Sequence, residues 1–270
     1  MKLGISYNVF DGEELLESSI KSIRGNVDYI SVVYQTTSNF GNICSDGLVS
    51  LLEDLKSRGI VDELFLYKPL VNNGGHFNEM TKRNLGLSLS EGQKCTHHMA
   101  MDTDEFYTNE QFNYLKETMV SGDYDSGACQ MVTYYKEPIY RLEPKEDYYV
   151  SLIFKTERGK SFVMGIPFPV LVDPTRRMTP GKCKVFTREE IEMHHMSYVR
   201  KNIKTKLTNS SASPNFKNID KIVSYYNNWK LPKQALMGGA PDKFYDIVET
   251  EKLFDKWEET NILSKQIKNK

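Results

Sequence analysis

The first part of the chain alternates between short apolar runs and segments with helical periodicity. The apolar run 3–7 predicts a buried strand, and the segment 13–23 places Leu15, Leu16, Ser19, Ile20 and Ile23 on one helical face. The alternation repeats, with predicted strands over 28–34, 62–67 and 95–101 and predicted helices over 47–58 and 76–88. Strands separated by helices predict a parallel sheet with helices on both faces, hence an α/β fold.

Strands dominate the pattern after residue 107. It predicts a helix over 109–119, strands over 126–135, 148–155 and 191–199, and a helix over 200–207. The segment 173–182 is a basic loop rich in turn residues. For the tail, 249–270, we predict an amphipathic helix that packs Leu253, Phe254 and Trp257 on the rest of the protein.

Composition places the chain among folded globular proteins. Its 270 residues are 39% hydrophobic and 11% aromatic, which suffices for a substantial core. Lys+Arg 35 against Asp+Glu 36 gives a net charge of −1, so no overall field attracts nucleic acid or anionic lipid. The four cysteines form no CxxC pair, which predicts reduced thiols and a cytoplasmic location. The start of the chain lacks a signal-peptide pattern, and no apolar run approaches the roughly 18 residues of a membrane span.

The candidate chemistry lies at the end of the fourth predicted strand, at Asp102 and Asp104. Residues i and i+2 of a strand point to one side, so both carboxylates can face one ligand. Two like charges this close are costly unless a cation lies between them, and oxygen ligands suit Mg²⁺ or Mn²⁺.

Three alternatives to a magnesium or manganese site are a solvated turn, a calcium-binding loop and the nucleophile motif of an aspartyl-phosphate phosphatase. Tyr107 stands where a calcium loop requires glycine. The phosphatase motif, with Asp102 as nucleophile, usually follows the first strand, whereas three predicted strands precede it here.

Other loops are expected to meet the Asp102–Asp104 loop at one edge of the sheet. Ligands of parallel sheets bind outside the carboxyl ends of the strands. The predicted loops at that edge are 8–11, 35–42, 72–75 and 102–104. Their convergence supports a ligand site more strongly than the aspartate pair alone.

Three blocks of residues resemble glycosyltransferases of the GT-A fold, similar to family 2. The blocks are Gly4-Ile5-Ser6-Tyr7-Asn8, then Lys82–Leu87 followed by the DxD motif within Met101–Tyr107, and finally His194–Arg200. The resemblance covers residues 2–210. It implies a Rossmann-like nucleotide-binding half with a mostly parallel sheet (1–107) and a β-rich acceptor half (108–210), with a C-terminal helical extension over 211–270.

The resemblance also implies roles for particular residues. Asp102, Asp104 and His195 would hold Mn²⁺ or Mg²⁺, with His194 as the alternative on the other strand face. The implied donor-binding residues are Asn8, Phe10, Asp11, Gln35, Lys82, Arg83, Asp102 and Arg200. Gln35 stands where family 2 enzymes commonly have an aspartate that binds uracil, which leaves the nucleobase open although a UDP-sugar is favoured. Arg176, Arg177 and Lys182 form a candidate phosphate clamp.

The implied activity is metal-dependent transfer of a sugar, as in a hexosyltransferase, from a nucleoside diphosphate sugar to a hydroxyl of a glycan or lipid-linked acceptor. Inversion at the anomeric carbon requires a carboxylate base, for which Asp173, Glu189 and Glu190 are candidates. With Asp104, the expected catalytic residues are Asp173 and Glu190. The alternatives are a phosphatase and a non-catalytic sugar-binding protein of the same fold. A peripheral contact with the inner face of a membrane stays open.

Overall fold

The computed structural model describes residues 1–239 and 241–255. Its α-helices are α1 (Glu13–Ile23), α2 (Leu48–Ser57), α3 (Gly75–Gly92), α4 (Asn109–Ser121), α5 (Ile203–Asn209) and α6 (Ile219–Asn227). Its strands are β1 (Leu3–Val9), β2 (Tyr29–Tyr34), β3 (Glu63–Leu66), β4 (His97–Asp102), β5 (Glu105–Phe106), β6 (Ser126–Tyr135), β7 (Tyr140–Glu143), β8 (Tyr149–Lys155), β9 (Cys183–Val185), β10 (Glu192–Tyr198), β11 (Ala235–Met237) and β12 (Lys243–Glu249). The predicted α/β class is confirmed.

Four parallel strands form the first half of the sheet, in the order β3-β2-β1-β4. The apolar side chains of β1, β2 and β4 are buried, as expected for a sheet covered on both faces, whereas the edge strand β3 exposes Phe65 and Leu66. Helix α3 packs closely on β1, because a Cβ at Gly86 would lie 2.1 Å from the Ser6 Oγ. All four strands end at the same edge, where Asn8, Gln35 and Asp102 lie.

Antiparallel strands dominate the second half of the sheet. Strand β8 pairs antiparallel with both β4 and β6 and so joins the two halves. Strand β6 also pairs with β7, β9 and β10. The short strand β5 pairs antiparallel with β10, which brings the segment after Asp102 beside His194 and His195. This agrees with the β-rich acceptor half that the sequence predicts.

The tail differs from the prediction of a C-terminal helical extension. Part of the 211–270 segment is helical in α6, but β11 and β12 form a hairpin, and β12 pairs with β7. Glu249 is the last residue of β12, and no helix follows it within the described residues. Phe254 does pack on the domain, 5.2 Å from the Phe106 ring and 5.0 Å from the His194 ring between centroids. From residue 256 onward, the predicted helix over 249–270 lies outside the described residues, and Trp257 with it. Within the described part, pairing of β12 with β7 gives a strand where a helical extension was predicted.

Two further predictions concern the cysteines and the membrane. All four cysteines are free thiols, and Cys95 and Cys129 are buried. Among the residues described, no helix combines the length and the apolar character that crossing a membrane requires.

Candidate functional site

A cavity of about 410 Å³ opens at the carboxyl edge of the parallel strands. Residues from both halves of the sheet and from the C-terminal segment line it. They are Asn8, Phe10, Asp11, Gln35, Asn39, Glu79, Lys82, Asp102, Thr103, Asp104, Asp173, His195, Ser197, Tyr198, Arg200, Lys206, Leu207, Asn209, Ser210, Ser211, Ala212, Phe216, Met237 and Gly238. Most of the predicted site residues are therefore brought together.

Polar atoms without partners lie on the β1–β2 side of the cavity. Asn8 pairs in register with Asp102 on β4 and Val33 on β2, so it lies between the two strand ends. Both amide atoms of Asn8 and the Oε1 of Gln35 are buried without a hydrogen-bond partner among the described residues. The Gln35 Nε2 donates to the Asn39 Oδ1 at 3.3 Å. Because a buried unpaired polar atom is costly, these atoms indicate a polar ligand in the cavity.

Asp102 ends β4 and contacts two arginines. Its Oδ2 accepts a hydrogen bond from the Arg176 Nη2 at 2.6 Å and one from the Arg83 Nη2 at 3.4 Å. Burial raises the pKa of Asp102, but Arg83 and Arg176 outweigh burial and hold the pKa below its ordinary value. Asp102 is therefore an anion at neutral pH.

Pairing of β5 with β10 brings His195 to Asp104. Glu105 is the register partner of His195, and the Met196 N–H donates to the Asp104 carbonyl at 2.7 Å. The His195 Nε2 consequently lies 3.7 Å from the Asp104 Oδ2. Burial lowers the pKa of His195, so its imidazole is neutral and keeps a free lone pair at pH 7.

His194 points away from Asp104. Its Nδ1 lies 2.9 Å from the Tyr134 Oη, and its ring packs on Phe254. The preference for His195 over His194 follows from strand alternation, and the structure agrees, because His195 and Ser197 both line the cavity.

Asp104 is buried between two cations. Its Oδ2 accepts a hydrogen bond from the Arg200 Nη2 at 2.5 Å and another from the Lys206 Nζ at 2.8 Å. Burial raises the pKa of Asp104, but Lys206 and Arg200 together hold it well below its ordinary value. The Arg200 guanidinium passes over Gly12, where a Cβ would lie 1.9 Å from the Arg200 Nη1, so this close approach requires glycine.

Helix α3 presents Lys82 and Glu79 to the cavity. Lys82 is buried, and burial lowers its pKa. Neither side chain makes a hydrogen bond or an ion pair with any described residue. Since an unpaired buried ammonium is costly, Lys82 indicates an anionic group of the ligand at this wall.

Asp173, one candidate base, lines the cavity. Its Oδ1 accepts hydrogen bonds from the Thr175 N–H at 2.7 Å and the Thr175 Oγ1 at 2.8 Å. Its Oδ2 accepts no hydrogen bond from the described residues, and the nearest cation, the Arg83 Nη2, is 4.0 Å away. Asp173 thus lines the cavity with one carboxylate oxygen that has no hydrogen-bond partner among the described residues.

Six predicted site residues do not line the cavity: Arg83, Arg176, Arg177, Lys182, Glu189 and Glu190. Arg83 is 1% exposed and lies behind Asp102, so it positions that carboxylate rather than meeting a ligand. Glu190 accepts from the Lys184 Nζ at 2.8 Å and the Tyr114 Oη at 2.9 Å. Its other oxygen accepts from the Thr187 N–H at 2.8 Å. The prediction of Glu190 as a catalytic base does not fit this placement, since its lone pairs are used in a local turn.

The sequence analysis missed Lys206, Glu79 and Glu105, and it gave Arg176 a different role. Arg176 binds Glu105 and Asp102 inside the protein, so it does not form an exposed phosphate clamp. Burial raises the pKa of Glu105 to about 7 even with Arg176 beside it. Glu79 lies three residues before Lys82, so the two residues share one face of α3, and this spacing could have identified Glu79 as a site residue. No local pattern distinguishes Lys206 from Lys204, the other lysine of α5.

The predicted metal ligands are only partly assembled. Among the residues that the structure describes, no three His, Cys, Asp or Glu side chains are placed to hold a metal ion. Asp104 and the neutral His195 do lie together, and carboxylate and imidazole are suitable ligands for Mn²⁺. Such a pair fits an ion only if oxygens of a bound ligand complete its shell.

Comparisons with known proteins find structural similarity at low sequence identity. No protein-family model matches, and no curated protein matches. Among solved structures, S. aureus TarS has 12% identity and a TM-score of 0.45, with 78% of this chain and 40% of TarS covered. TarS 1–349 in complex with UDP-GlcNAc has 12% identity and a TM-score of 0.47, with 84% of this chain and 72% of that chain covered.

A mannose-1-phosphate geranyltransferase from Thermus thermophilus has 13% identity and a TM-score of 0.33, with coverage of 58% and 51%. This chain thus spans about two fifths of the length of full TarS. Likenesses at this level do not assign the chain to a family.

Proposed function

We propose that the protein is a glycosyltransferase that moves a sugar from a nucleoside diphosphate sugar to a hydroxyl of a glycan or lipid-linked acceptor. The observation that carries the proposal is the pair of buried groups without a hydrogen-bond partner among the described residues, the Asn8 amide and the Gln35 Oε1, in the same cavity as the Lys82 ammonium. Amides suit the edge of a nucleobase, and a buried ammonium suits a phosphate. All three lie at the carboxyl ends of parallel strands or on the adjoining helix, where α/β sheets bind nucleotides.

A divalent ion, Mn²⁺ or Mg²⁺, is part of the proposal. Asp104 and His195 would hold it beside Asp102, and it would neutralise charge on the diphosphate. The charges around the cavity support this. The five carboxylates of Asp11, Glu79, Asp102, Asp104 and Asp173 face three cations, Lys82, Arg200 and Lys206. Behind Asp102, Arg83 and Arg176 add two cations, and Glu105, which binds Arg176, adds a sixth carboxyl group. The surroundings therefore carry no excess positive charge, so a diphosphate would leave excess negative charge that a divalent ion could offset.

Asp173 is the base in the proposed reaction. The acceptor oxygen attacks the anomeric carbon while the bond from that carbon to the phosphate oxygen breaks. The bonding pair leaves with the nucleoside diphosphate, and the acceptor proton passes to the free Asp173 Oδ2. This displacement inverts the anomeric carbon, because the acceptor enters opposite the leaving group. Asp11, Asn8 and Gln35 hold the donor on the other side.

The proposal is tested by thermal shift and donor hydrolysis with Mn²⁺ and a panel of nucleotide sugars, UDP-sugars first. We expect one donor class to stabilise the protein, by about 2.7 kcal/mol at a hundredfold excess over its Kd. The Asp104→Asn variant should lose most of this stabilisation. Asp220→Asn is the matched control, because Asp220 is 92% exposed and distant from the cavity lining.

Other outcomes contradict the proposal in distinct ways. If a donor stabilised wild type and Asp104→Asn equally, Asp104 would not be part of the donor site. Phosphate release from simple phosphoesters would indicate a phosphatase with Asp102 as nucleophile. Donor binding without turnover, with every acceptor class tried, would indicate a sugar-binding protein.

A further inference from the structure

Lys206 reaches the cavity from α5, a short helix in the segment after β10. The Asn202 Oδ1 caps this helix by accepting from the Thr205 N–H at 3.2 Å. The buried side chains of Ile203 and Leu207 anchor α5 on the domain. The Lys206 Nζ lies 2.8 Å from the Asp104 Oδ2, so its reach into the cavity is set by a fixed helix rather than by a loop.

Asp104 has Arg200 as a second cationic partner beside Lys206. Arg200 already donates to the same Oδ2 at 2.5 Å and is only 2% exposed. The Arg200 backbone is held as well, because its N–H donates to the Tyr226 Oη at 3.1 Å. With Lys206 engaged by a ligand, Arg200 still gives this oxygen a charge-assisted hydrogen bond, so Asp104 would keep a cationic partner.

Lys206 keeps unused capacity to bind an anion. An ammonium has three N–H donors, and Lys206 uses one within the described residues, on Asp104. Its side chain is 23% exposed, against 2% for Arg200, and it lines the cavity. Lys206 is thus the cation on Asp104 that a ligand can reach.

Lys82 provides a second ammonium at the same cavity. It comes from α3, and it makes no hydrogen bond or ion pair with the described residues. Two ammonium groups with free donors, carried by two separate helices, suit an extended anion with several terminal oxygens better than a single carboxylate. A diphosphate has this shape.

We propose that Lys206 is a catalytic residue that binds the phosphate next to the sugar and stabilises the charge of the leaving nucleoside diphosphate. This inference rests on the proposed function and adds a residue to it. When the bond from the anomeric carbon to the phosphate oxygen breaks, its electron pair stays on that oxygen. An N–H of Lys206 donates a hydrogen bond to this oxygen, so the new charge is offset as it forms. Lys206 stays protonated, and the acceptor proton still passes to Asp173.

The test compares Lys206→Met with Lys204→Met, a matched control on the same helix. Lys204 is 61% exposed and pairs with the exposed Asp220. The first probe is inorganic pyrophosphate, which needs no nucleobase, measured by calorimetry with Mg²⁺ present. We expect Lys206→Met to weaken pyrophosphate binding about tenfold and to lower kcat roughly 10- to 100-fold, because a charge-assisted hydrogen bond is lost. Lys204→Met should match wild type in both, and Lys206→Arg should recover part of kcat.

A second measurement uses the wild-type protein and does not depend on a variant that folds. Pyrophosphate should protect Lys206 from an amine-reactive reagent, as read by peptide mass spectrometry, and should leave Lys204 reactive. If wild type binds pyrophosphate and donor while Lys206→Met binds both equally well and turns over at the wild-type rate, the inference is overturned and the proposed function stands. If wild type binds neither pyrophosphate nor any nucleoside diphosphate, the proposed function fails, and the role of Lys206 fails with it.

Discussion

Asp102 and Asp104 are one residue apart, yet the fold gives the two carboxylates different roles. Asp102 contacts Arg83 and Arg176, and its side chain remains 38% exposed to the cavity. The Asp104 side chain is 1% exposed, with its Oδ2 between Arg200 and Lys206. In this arrangement Asp102 faces the cavity directly, whereas the Oδ2 of Asp104 contacts two cations and its Oδ1 is the oxygen left for the proposed divalent ion.

The aspartate pair was predictable from the sequence, but its partners were not. An apolar run that ends in two spaced aspartates indicates where the carboxylates lie. The cations come from α3, from the loop before β9 and from the segment after β10, and no local pattern links those segments. Lys206 and Arg176 could be placed only once the strands were paired.

His98 provides a pH-dependent test at the residue scale. It is fully buried on β4, and burial lowers its pKa from 6.5 to about 3. Below pH 6.5 the unfolded chain therefore binds a proton that the folded protein does not bind until about pH 3. Each pH unit of acidification in that window should remove about 1.4 kcal/mol of stability through this residue alone.

The measurement is urea unfolding of wild type and His98→Asn between pH 6 and pH 4. Asparagine can keep the contact with the Ser90 Oγ, which lies 2.9 Å from the His98 Nδ1. We expect the unfolding free energy of the variant to fall by about 1.4 kcal/mol less per pH unit, because the variant takes up about one proton fewer on unfolding. His76→Asn, at an exposed position, should keep the wild-type slope. Identical slopes for wild type and His98→Asn would refute the assignment.

At the scale of elements, the pairing of β5 with β10 assembles the site. Strand β5 has two residues, and its partners on β10 are His194 and His195. Without this pairing His195 would not reach Asp104. Short strands of this kind show too little alternation to be predicted, and the same holds for β7, β9 and β11. The helices α1, α2 and α4 were predicted closely because each has a repeated apolar face to bury, whereas α3 buries a mainly polar face.

The contact of α3 with β1 gives a test at this scale. A Cβ at Gly86 would lie 2.1 Å from the Ser6 Oγ and 2.3 Å from the Ser6 Cβ. Gly86→Ala should destabilise the protein by about 1–3 kcal/mol through overpacking, although alanine favours helices. The measurement is the free energy of unfolding in urea. Since α3 carries Lys82, donor affinity should fall as well.

The matched control is Gly92→Ala at the end of the same helix, where a Cβ would meet nothing within 4 Å. This variant should be neutral or slightly stabilising. The double variant Gly86→Ala with Ser6→Gly should recover part of the loss, because it removes the clashing side chain. A loss in Gly92→Ala equal to that in Gly86→Ala would show that close packing is not the cause.

At the scale of the whole molecule, the C-terminal segment is part of the site rather than an appendage. Phe216, Met237 and Gly238 line the cavity, although the sequence analysis ended the catalytic domain at residue 210. A second apolar cluster joins the β-rich half to this segment, through Tyr135, Leu142, Tyr198, Ile203, Leu207, Ile222, Tyr226, Trp229, Ala235 and Leu236. These contacts join residues far apart in sequence, so hydrophobic pattern alone did not predict them.

Tyr226 links the C-terminal segment to the site and gives the test at this scale. Its Oη accepts from the Arg200 N–H at 3.1 Å and lies 2.9 Å from the Tyr198 carbonyl oxygen. Tyr226→Phe removes this connection, so the backbone that carries Arg200 should lose its fixed position. We expect the Kd for a nucleoside diphosphate to rise roughly 3- to 10-fold, in addition to a loss of about 1 kcal/mol of stability.

Tyr225→Phe separates these two effects, because it removes one hydrogen bond from the same helix but away from Arg200. The Tyr225 Oη donates to the Gln234 carbonyl at 2.7 Å. Its loss should lower stability by a similar amount and leave the nucleotide Kd unchanged, as measured by calorimetry well below the melting temperature. If both phenylalanine variants changed the Kd equally, the weaker binding would reflect general destabilisation. The C-terminal segment would then be a support for the fold, and the site would end with β10 and α5.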